Sequence, residues 1–229
     1  MSTDDTFSGK VAVVTGAAGA LGRAVADHFA GRGATVAQLD VLAIDNGHYS
    51  ATCDLLDPAS CQAAVNAIHA KLGRIDVLAN IAGGFTMGEP VHETSDATWD
   101  FMMGLNARSV LNMARAVVPV MLEHGGGRIV NIGAGAGLHG VGQMGAYSAS
   151  KSVVIRLTEA MSDELRGQGI NVNCVLPSVI DTERNRQDMP DADFSKWVTP
   201  AAMARVIGFL ASEAAEAIHG AAVPVRGLS

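Results

Sequence analysis

Tyr147 and Lys151 stand four residues apart in Tyr147-Ser-Ala-Ser-Lys151. On a helix that spacing puts phenol and ammonium on one face. A free phenol titrates near pH 10. A neighbouring cation lowers that value and makes the phenol a usable proton donor and acceptor near neutrality. Taken alone, the same spacing describes an ordinary surface pair. A second element stands near the N-terminus, Thr15-Gly-Ala-Ala-Gly-Ala-Leu-Gly22. A tight glycine turn between a strand and a helix lets backbone N–H groups approach a pyrophosphate, and the helix N-terminus adds free donors and a favourable dipole. Gly16, Gly19, Ala20, Leu21 and Gly22 are assigned to that cradle, where small side chains at Ala17, Ala18 and Ala20 leave the approach open. Asp40 follows, eighteen residues after Gly22. A carboxylate there accepts both ribose hydroxyls of an adenosine and repels a 2′-phosphate, which favours NAD(H) over NADP(H). Its plainer reading is a solvated loop acid. Asp54 offers an acceptor for the adenine amino group, or is an exposed turn acid.

The pattern around these residues is an alternation. Apolar runs at 11–15, 34–39, 49–53, 75–79, 128–132, 170–176 and 222–225 read as about seven strands. Helical patterns occupy residues 20–32, 58–72, 96–124, 147–166 and 201–212. Leu21, Val25 and Phe29 recur four apart, Pro58 sits at a helix start, and Gly125-Gly-Gly127 stops the long helix. Strands alternating with helices of this length predict an α/β fold, a doubly wound parallel sheet with helices on both faces. Ligands then lie beyond the carboxyl ends of the strands, where strand order reverses. The glycine turn, Asp40, Asp54 and Asn80-Ile-Ala-Gly83 all follow strand ends, so Asn80, Ala82 and Gly83 join the candidate site. No linker or repeat divides the chain, and residues 1–229 read as a single dinucleotide-binding domain.

Composition excludes other classes. The chain has 229 residues, with 16 Lys+Arg against 23 Asp+Glu, for a net charge of −7. That balance and an aromatic content of only 4% disfavour a nucleic-acid binder. An odd number of cysteines, Cys53, Cys61 and Cys174, argues against a disulfide framework and for small core fillers. The polar, acidic start lacks the pattern of a signal peptide, and no apolar run is long enough to span a membrane, so a cytoplasmic protein is expected. The seven histidines show no metal-ligand spacing, and no metal is expected.

Together these features resemble the short-chain dehydrogenase/reductase family over essentially the whole chain. Thr15, Gly16 and Gly22 match its glycine motif, with Ala20 at the middle glycine and Gly19 one place early; Asn80-Ile81-Ala82-Gly83 and Tyr147 with Lys151 match two others. The resemblance implies a catalytic set of Tyr147, Lys151 and Asn106. Asn106 is the helix asparagine that holds a relay water, and Lys151 also reaches the nicotinamide ribose. Pro177-Ser178 stands for the family's Pro-Gly, and Thr182 for the threonine that contacts the nicotinamide amide. The resemblance further implies an oxidoreductase acting on a small molecule, and a homodimer or homotetramer paired through the helices at 97–122 and 147–166. The first of those helices is apolar round too much of its circumference to face one sheet, which points the same way.

One departure matters. The family's catalytic serine stands thirteen residues before the tyrosine, and here that position is Ala134. A lost donor of this kind costs about 2.7–4 kcal/mol of transition-state stabilisation. The dihydropteridine reductase branch of the family also has alanine there, and it resembles this chain at Ala82-Gly83-Gly84-Phe85 and across Asp181 to Trp197. That implies NADH-dependent reduction of a conjugated or quinonoid ring, with Phe85, Ala134, Met189 and Trp197 lining the substrate and residues 181–200 forming a lid. A surface loop with Trp197 packed on the body is the alternative for that tract. Two other functions stay open: a reductase of 3-oxoacyl or alcohol-type substrates, and a non-catalytic dinucleotide sensor or scaffold.

Overall fold

The computed structural model describes residues 6–228; the start of the acidic N-terminal segment, residues 1–5, lies outside them. Seven strands form one sheet: β1 (Val11–Thr15), β2 (Thr35–Asp40), β3 (Tyr49–Thr52), β4 (Val77–Asn80), β5 (Gly127–Ile132), β6 (Ile170–Pro177) and β7 (Ala222–Val225). Their order is β3-β2-β1-β4-β5-β6-β7, and every pairing is parallel. Parallel neighbours need crossovers, and these are the helices α1 (Ala20–Ala30), α2 (Pro58–Leu72), α3 (Asp96–Met102), α4 (Ser109–Glu123), α5 (Gly145–Leu165), the short α6 (Glu183–Asp188) and α7 (Pro200–Ala211).

Strand residues alternate between two apolar layers. Ala12 and Val14 of β1 pack with Phe29 of α1 and Met203 and Ile207 of α7. Val11 and Val13 pack on the other face with Val65 and Ile68 of α2 and Met113 and Val117 of α4. Strands covered on both faces must be apolar on both faces, which is why these segments read as unbroken apolar runs. Strand order reverses between β1 and β4, so the carboxyl ends of those two strands open a crevice.

One expectation about the long helix at 96–124 is corrected: it is not continuous, because Met103–Arg108 is a π-helical turn between α3 and α4. Part of its apolar girth is covered without a second chain. Met102, Val110, Met113, Val117, Val120 and Met121 are all buried within this one chain. The helix is wedged between the sheet and its neighbours α2 and α5, so it meets protein on several sides at once. Trp99, Phe101 and Leu122 remain exposed, and Met103, Leu105, Leu111 and Val118 are half-buried. No helix among the described residues is long and apolar enough to cross a membrane. Cys53, Cys61 and Cys174 are all free and buried.

Candidate active site

The glycine turn follows β1 into α1. Gly16 has φ +63°, and a Cβ there would lie 2.8 Å from Ala82 Cα. Only glycine combines that dihedral with so close an approach of two backbones. Thr15 sits behind the turn, its hydroxyl accepting from the Ile81 and Ala82 N–H groups at 3.0 and 3.2 Å. The ends of β1 and β4 are thereby locked together. Between them opens a cleft of about 740 Å3 lined by Gly16, Gly19, Ala20, Leu21, Gly22 and Asp40 on one side. Asp54, Ala82, Gly83 and Thr182 line it farther along.

Asp40 ends β2. One carboxylate oxygen accepts from the Ala18 N–H at 3.0 Å and the other from the Leu42 N–H at 3.1 Å. These bonds aim the carboxylate at the glycine turn, and each oxygen keeps a lone pair for a ribose hydroxyl. Arg23 and Arg184 line the same cleft, although neither adjoins Asp40 in the chain. Asp54 accepts from the Leu56 N–H at 2.9 Å. Thr182 caps α6, its hydroxyl accepting from the Asn185 N–H at 3.2 Å.

Gly83, at one end of that lining, stands beside Lys151 and Asn106. A Cβ at Gly83 would lie 3.3 Å from Lys151 Nζ and 3.0 Å from Asn106 Oδ1. Lys151 is buried and donates to the Ile132 carbonyl at 2.9 Å, with its Nζ 5.9 Å from the centre of the Tyr147 ring. Asn106 occupies the π turn, a frequent placement for functional residues. Its Oδ1 accepts from the Gly84 N–H at 2.9 Å, and its Nδ2 donates to the Gly84 carbonyl at 3.1 Å and to Ser150 Oγ at 3.0 Å. Ser150 Oγ donates on to the Tyr147 carbonyl at 2.8 Å. Ser150 therefore ties Asn106 to the tyrosine's helix, although helix geometry alone suggests that it points away.

Burial sets the titration of both groups. It pushes the Tyr147 phenol up to about 12 and the Lys151 ammonium down to about 8. This corrects the expected depression of the phenol by its neighbour: loss of solvent outweighs a cation engaged with a backbone carbonyl. Near pH 7 Tyr147 is a neutral donor and Lys151 is mostly charged. The linkage has a sign. The unfolded chain keeps the Lys151 proton to about pH 10.4, while the folded chain releases it near 8, so stability rises with pH from about 8 to 10. Above pH 10 the raised Tyr147 value opposes it, because the folded chain then holds the phenolic proton longer than the unfolded one. Chemical denaturation at pH 8 and 10 is expected to show Lys151→Met losing a gain of about 2–3 kcal/mol relative to the parent chain.

Other assigned residues fall in varied places. Asn80 is buried away from the cleft, its amide donating to Asn131 Oδ1 at 2.9 Å while Asn131 donates to Thr158 Oγ1 at 2.9 Å. It clamps β4 to β5 and, through Asn131, to α5. Pro177 closes β6. Ala134 is buried at the entry to the short 3₁₀ turn Gly135–Gly137, which Ser152 Oγ holds by donating to the Gly137 carbonyl. Phe85 meets Tyr147 edge to face at 4.9 Å and is 53% exposed. Met189 is exposed just after α6, whereas Trp197 is buried with its ring 4.8 Å from Phe194. Arg186 is bidentate on Asp181 at 2.6 and 2.8 Å and lies over the Phe194 ring.

A phenol and a buried ammonium thus stand near a glycine-turn cleft on a parallel sheet. The short chain dehydrogenase family model matches residues 10–193. The chain belongs to the short-chain dehydrogenase family. Among relatives in this family, D-threitol dehydrogenase of Mycolicibacterium smegmatis is 37% identical over 98% of this chain and 94% of its own. The 3-oxoacyl-acyl-carrier-protein reductase FabG of Escherichia coli K12 is 31% identical over 96% of this chain and 97% of its own. The crystal structure of gox2181 superposes with a TM-score of 0.89 and 30% identity, covering 98% of this chain and 97% of that one. A short-chain dehydrogenase of this kind is a nicotinamide-dinucleotide-dependent oxidoreductase acting on a small molecule. The cradle fits such a cofactor. Carboxylate, bare glycine turn and helix N-terminus face one cleft of suitable size, and a Cβ at Gly22 would lie 2.2 Å from the Gly16 carbonyl oxygen.

Proposed function

We propose that this chain is an NAD(H)-preferring enzyme that interconverts a carbonyl and an alcohol on a substrate with a sizeable apolar part. The observation that carries the reading is Tyr147, a neutral phenol beside Lys151 whose ring abuts the exposed face of Phe85. Met87, Leu138, Val141 and Met189, also exposed, follow the carboxyl ends of β4, β5 and β6 and extend an apolar rim. The names of the relatives, a polyol dehydrogenase and a 3-oxoacyl reductase, support alcohol and carbonyl chemistry over the narrower dihydropteridine expectation.

When bound, the nicotinamide supplies the hydride for reduction and accepts it for oxidation. Tyr147 gives its phenolic proton to the carbonyl oxygen as the alcohol forms and takes it back in the reverse direction. Lys151 holds positive charge beside the phenol and stabilises the phenolate left behind. Asn106 positions the loop at Gly84 and, through Ser150, the backbone of Tyr147. Residues 181–200, held by the Asp181–Arg186 pair, form the flap beside the rim. Trp99, Phe101 and Leu122 remain as the apolar surface for a homo-oligomer through residues 97–122 and 147–166; a monomer mass in sedimentation at micromolar concentration would remove that part of the reading.

Asp40 supports NAD(H) over NADP(H), against the opposing pull of Arg23. Measured dissociation constants are expected to favour NADH by at least about 10-fold, and Asp40→Ala to narrow the gap. NADPH binding as tight as NADH would refute the preference.

A second reading, reduction of a conjugated or quinonoid ring, is favoured by Ala134, which offers the substrate oxygen no side-chain donor, and by the exposure of Phe85. Turnover with NADH on apolar ketones and on a quinonoid dihydropterin separates the two. Ala134→Ser is expected to raise ketone turnover about 10-fold, the effect of one restored hydrogen bond of about 1.4 kcal/mol. Ketone turnover that stays negligible in both proteins, with brisk reduction of the quinonoid ring, would transfer the assignment to the second reading.

A further inference from the structure

We propose that the ends of α2 and α4 carry a binding site for a divalent transition-metal ion, formed by His69, Glu123 and His124. One ligand atom from each residue can be chosen so that all three lie within 4.8 Å of one another. Two imidazole nitrogens on one tetrahedral ion stand roughly 3.3 Å apart at metal–nitrogen distances of about 2.0–2.1 Å. Small side-chain rotations therefore close the set around an ion.

Three features favour occupation. His124 Nδ1 is 2.9 Å from the Val120 carbonyl, which can only accept, so Nδ1 carries the hydrogen and Nε2 keeps the lone pair that a metal needs. The rings of His69 and His124 meet edge to face with centroids 5.3 Å apart, so neither blocks the other's nitrogen. All three residues lie in or just beyond the last turn of a helix, where outward-facing carbonyls favour a cation. Nearby Lys10 and Arg74 share the Asp76 carboxylate, at 3.7 and 2.6 Å, which offsets one of their two charges.

Two imidazoles and one carboxylate select zinc-like ions over magnesium or calcium, which take oxygen ligands. Helices run antiparallel to the strands here, so these helix ends stand at the amino edge of the sheet, just before β4 and β5. The active site is at the opposite edge. The ion would staple α2 to α4 and leave the chemistry alone.

The test uses full-length, untagged protein stripped with a chelator and titrated with Zn2+ or Mg2+. One Zn2+ is expected to bind per chain, Mg2+ not at all, and saturating Zn2+ to raise the melting temperature by about 5 °C. His69→Ala and His124→Ala should each weaken Zn2+ binding at least about 10-fold, and Glu123→Gln less, with turnover unchanged. A Cu2+-loaded sample should show two coupled imidazole nitrogens by electron paramagnetic resonance in the parent and one in either histidine variant. Absence of Zn2+ binding, or binding and nitrogen coupling that survive both histidine replacements, would overturn the site. If an alanine variant fails to fold, His69→Asn and His124→Asn read the same two signals.

Discussion

Tyr147→Phe is expected to lower turnover by at least about 100-fold while NADH binds as before. The phenol is the proton source at the carbonyl oxygen, and removing a positioned general acid costs factors of 10²–10⁴. A hundredfold loss corresponds to about 2.7 kcal/mol in the barrier. The ring itself is retained, so its contact with Phe85 at 4.9 Å survives and the cleft keeps its shape. Ser150 reaches the backbone carbonyl of Tyr147 rather than its hydroxyl, so that link also persists. Steady-state turnover together with a fluorescence titration of NADH separates chemistry from binding. Full activity in the variant would remove Tyr147 from the mechanism. Equal loss of turnover and NADH affinity would mean that the ring supports the cofactor rather than the proton transfer.

Gly22→Ala is expected to abolish high-affinity binding of the dinucleotide, with a loss of at least about 10-fold, and to destabilise the chain by about 1–3 kcal/mol. The cause is steric. The added Cβ would stand 2.2 Å from the Gly16 carbonyl oxygen and 2.7 Å from Ala17 Cα, both backbone atoms that cannot rotate away. Relief requires the turn to open, and opening moves the N–H groups that cradle a pyrophosphate. It also disturbs Gly16, which lies against Ala82, so the damage reaches β4. Gly19→Ala is the control: its Cβ would meet the Gly16 carbonyl oxygen at 3.3 Å, a contact that a small shift relieves. Isothermal titration with NADH and thermal melts of both variants check the contrast. A Gly22→Ala protein that binds NADH normally would show that the turn is not the cradle.

Much of this architecture is legible in the chain itself because its signals are local. The runs at 11–15 and 222–225 coincide with β1 and β7, and the pattern from Pro58 to Leu72 with α2. Each is bounded by residues that act on their own backbone: Asp57 accepts from the Ala59 N–H at the start of α2, and Gly73 ends it at φ +80°. The long helix at 96–124 was legible as apolar and helical but not as interrupted. A π turn needs no glycine or proline, and Met103-Gly-Leu-Asn-Ala-Arg108 carries no distinctive helix breaker beyond Gly104. What stabilises it is Asn106 bonding to Gly84 and Ser150, partners 22 and 44 residues away.

The sequence by itself determined the family, the parallel sheet, the glycine turn with Asp40 at its edge, and the pairing of Tyr147 with Lys151. All of these rest on spacings within one element or one strand–turn–helix unit, where covalent geometry decides what faces what. Only the tertiary structure decided what each asparagine side chain bonds to. Asn80 turned inward to Asn131 while Asn106 turned to the cleft loop. It alone brought Arg23 and Arg184 to the dinucleotide cleft and His69 to His124. It alone set the two titrating groups, raising Tyr147 and lowering Lys151. The physical reason is common to these cases: proximity between distant residues and the dielectric around a charge depend on what packs where, and a linear spacing contains neither.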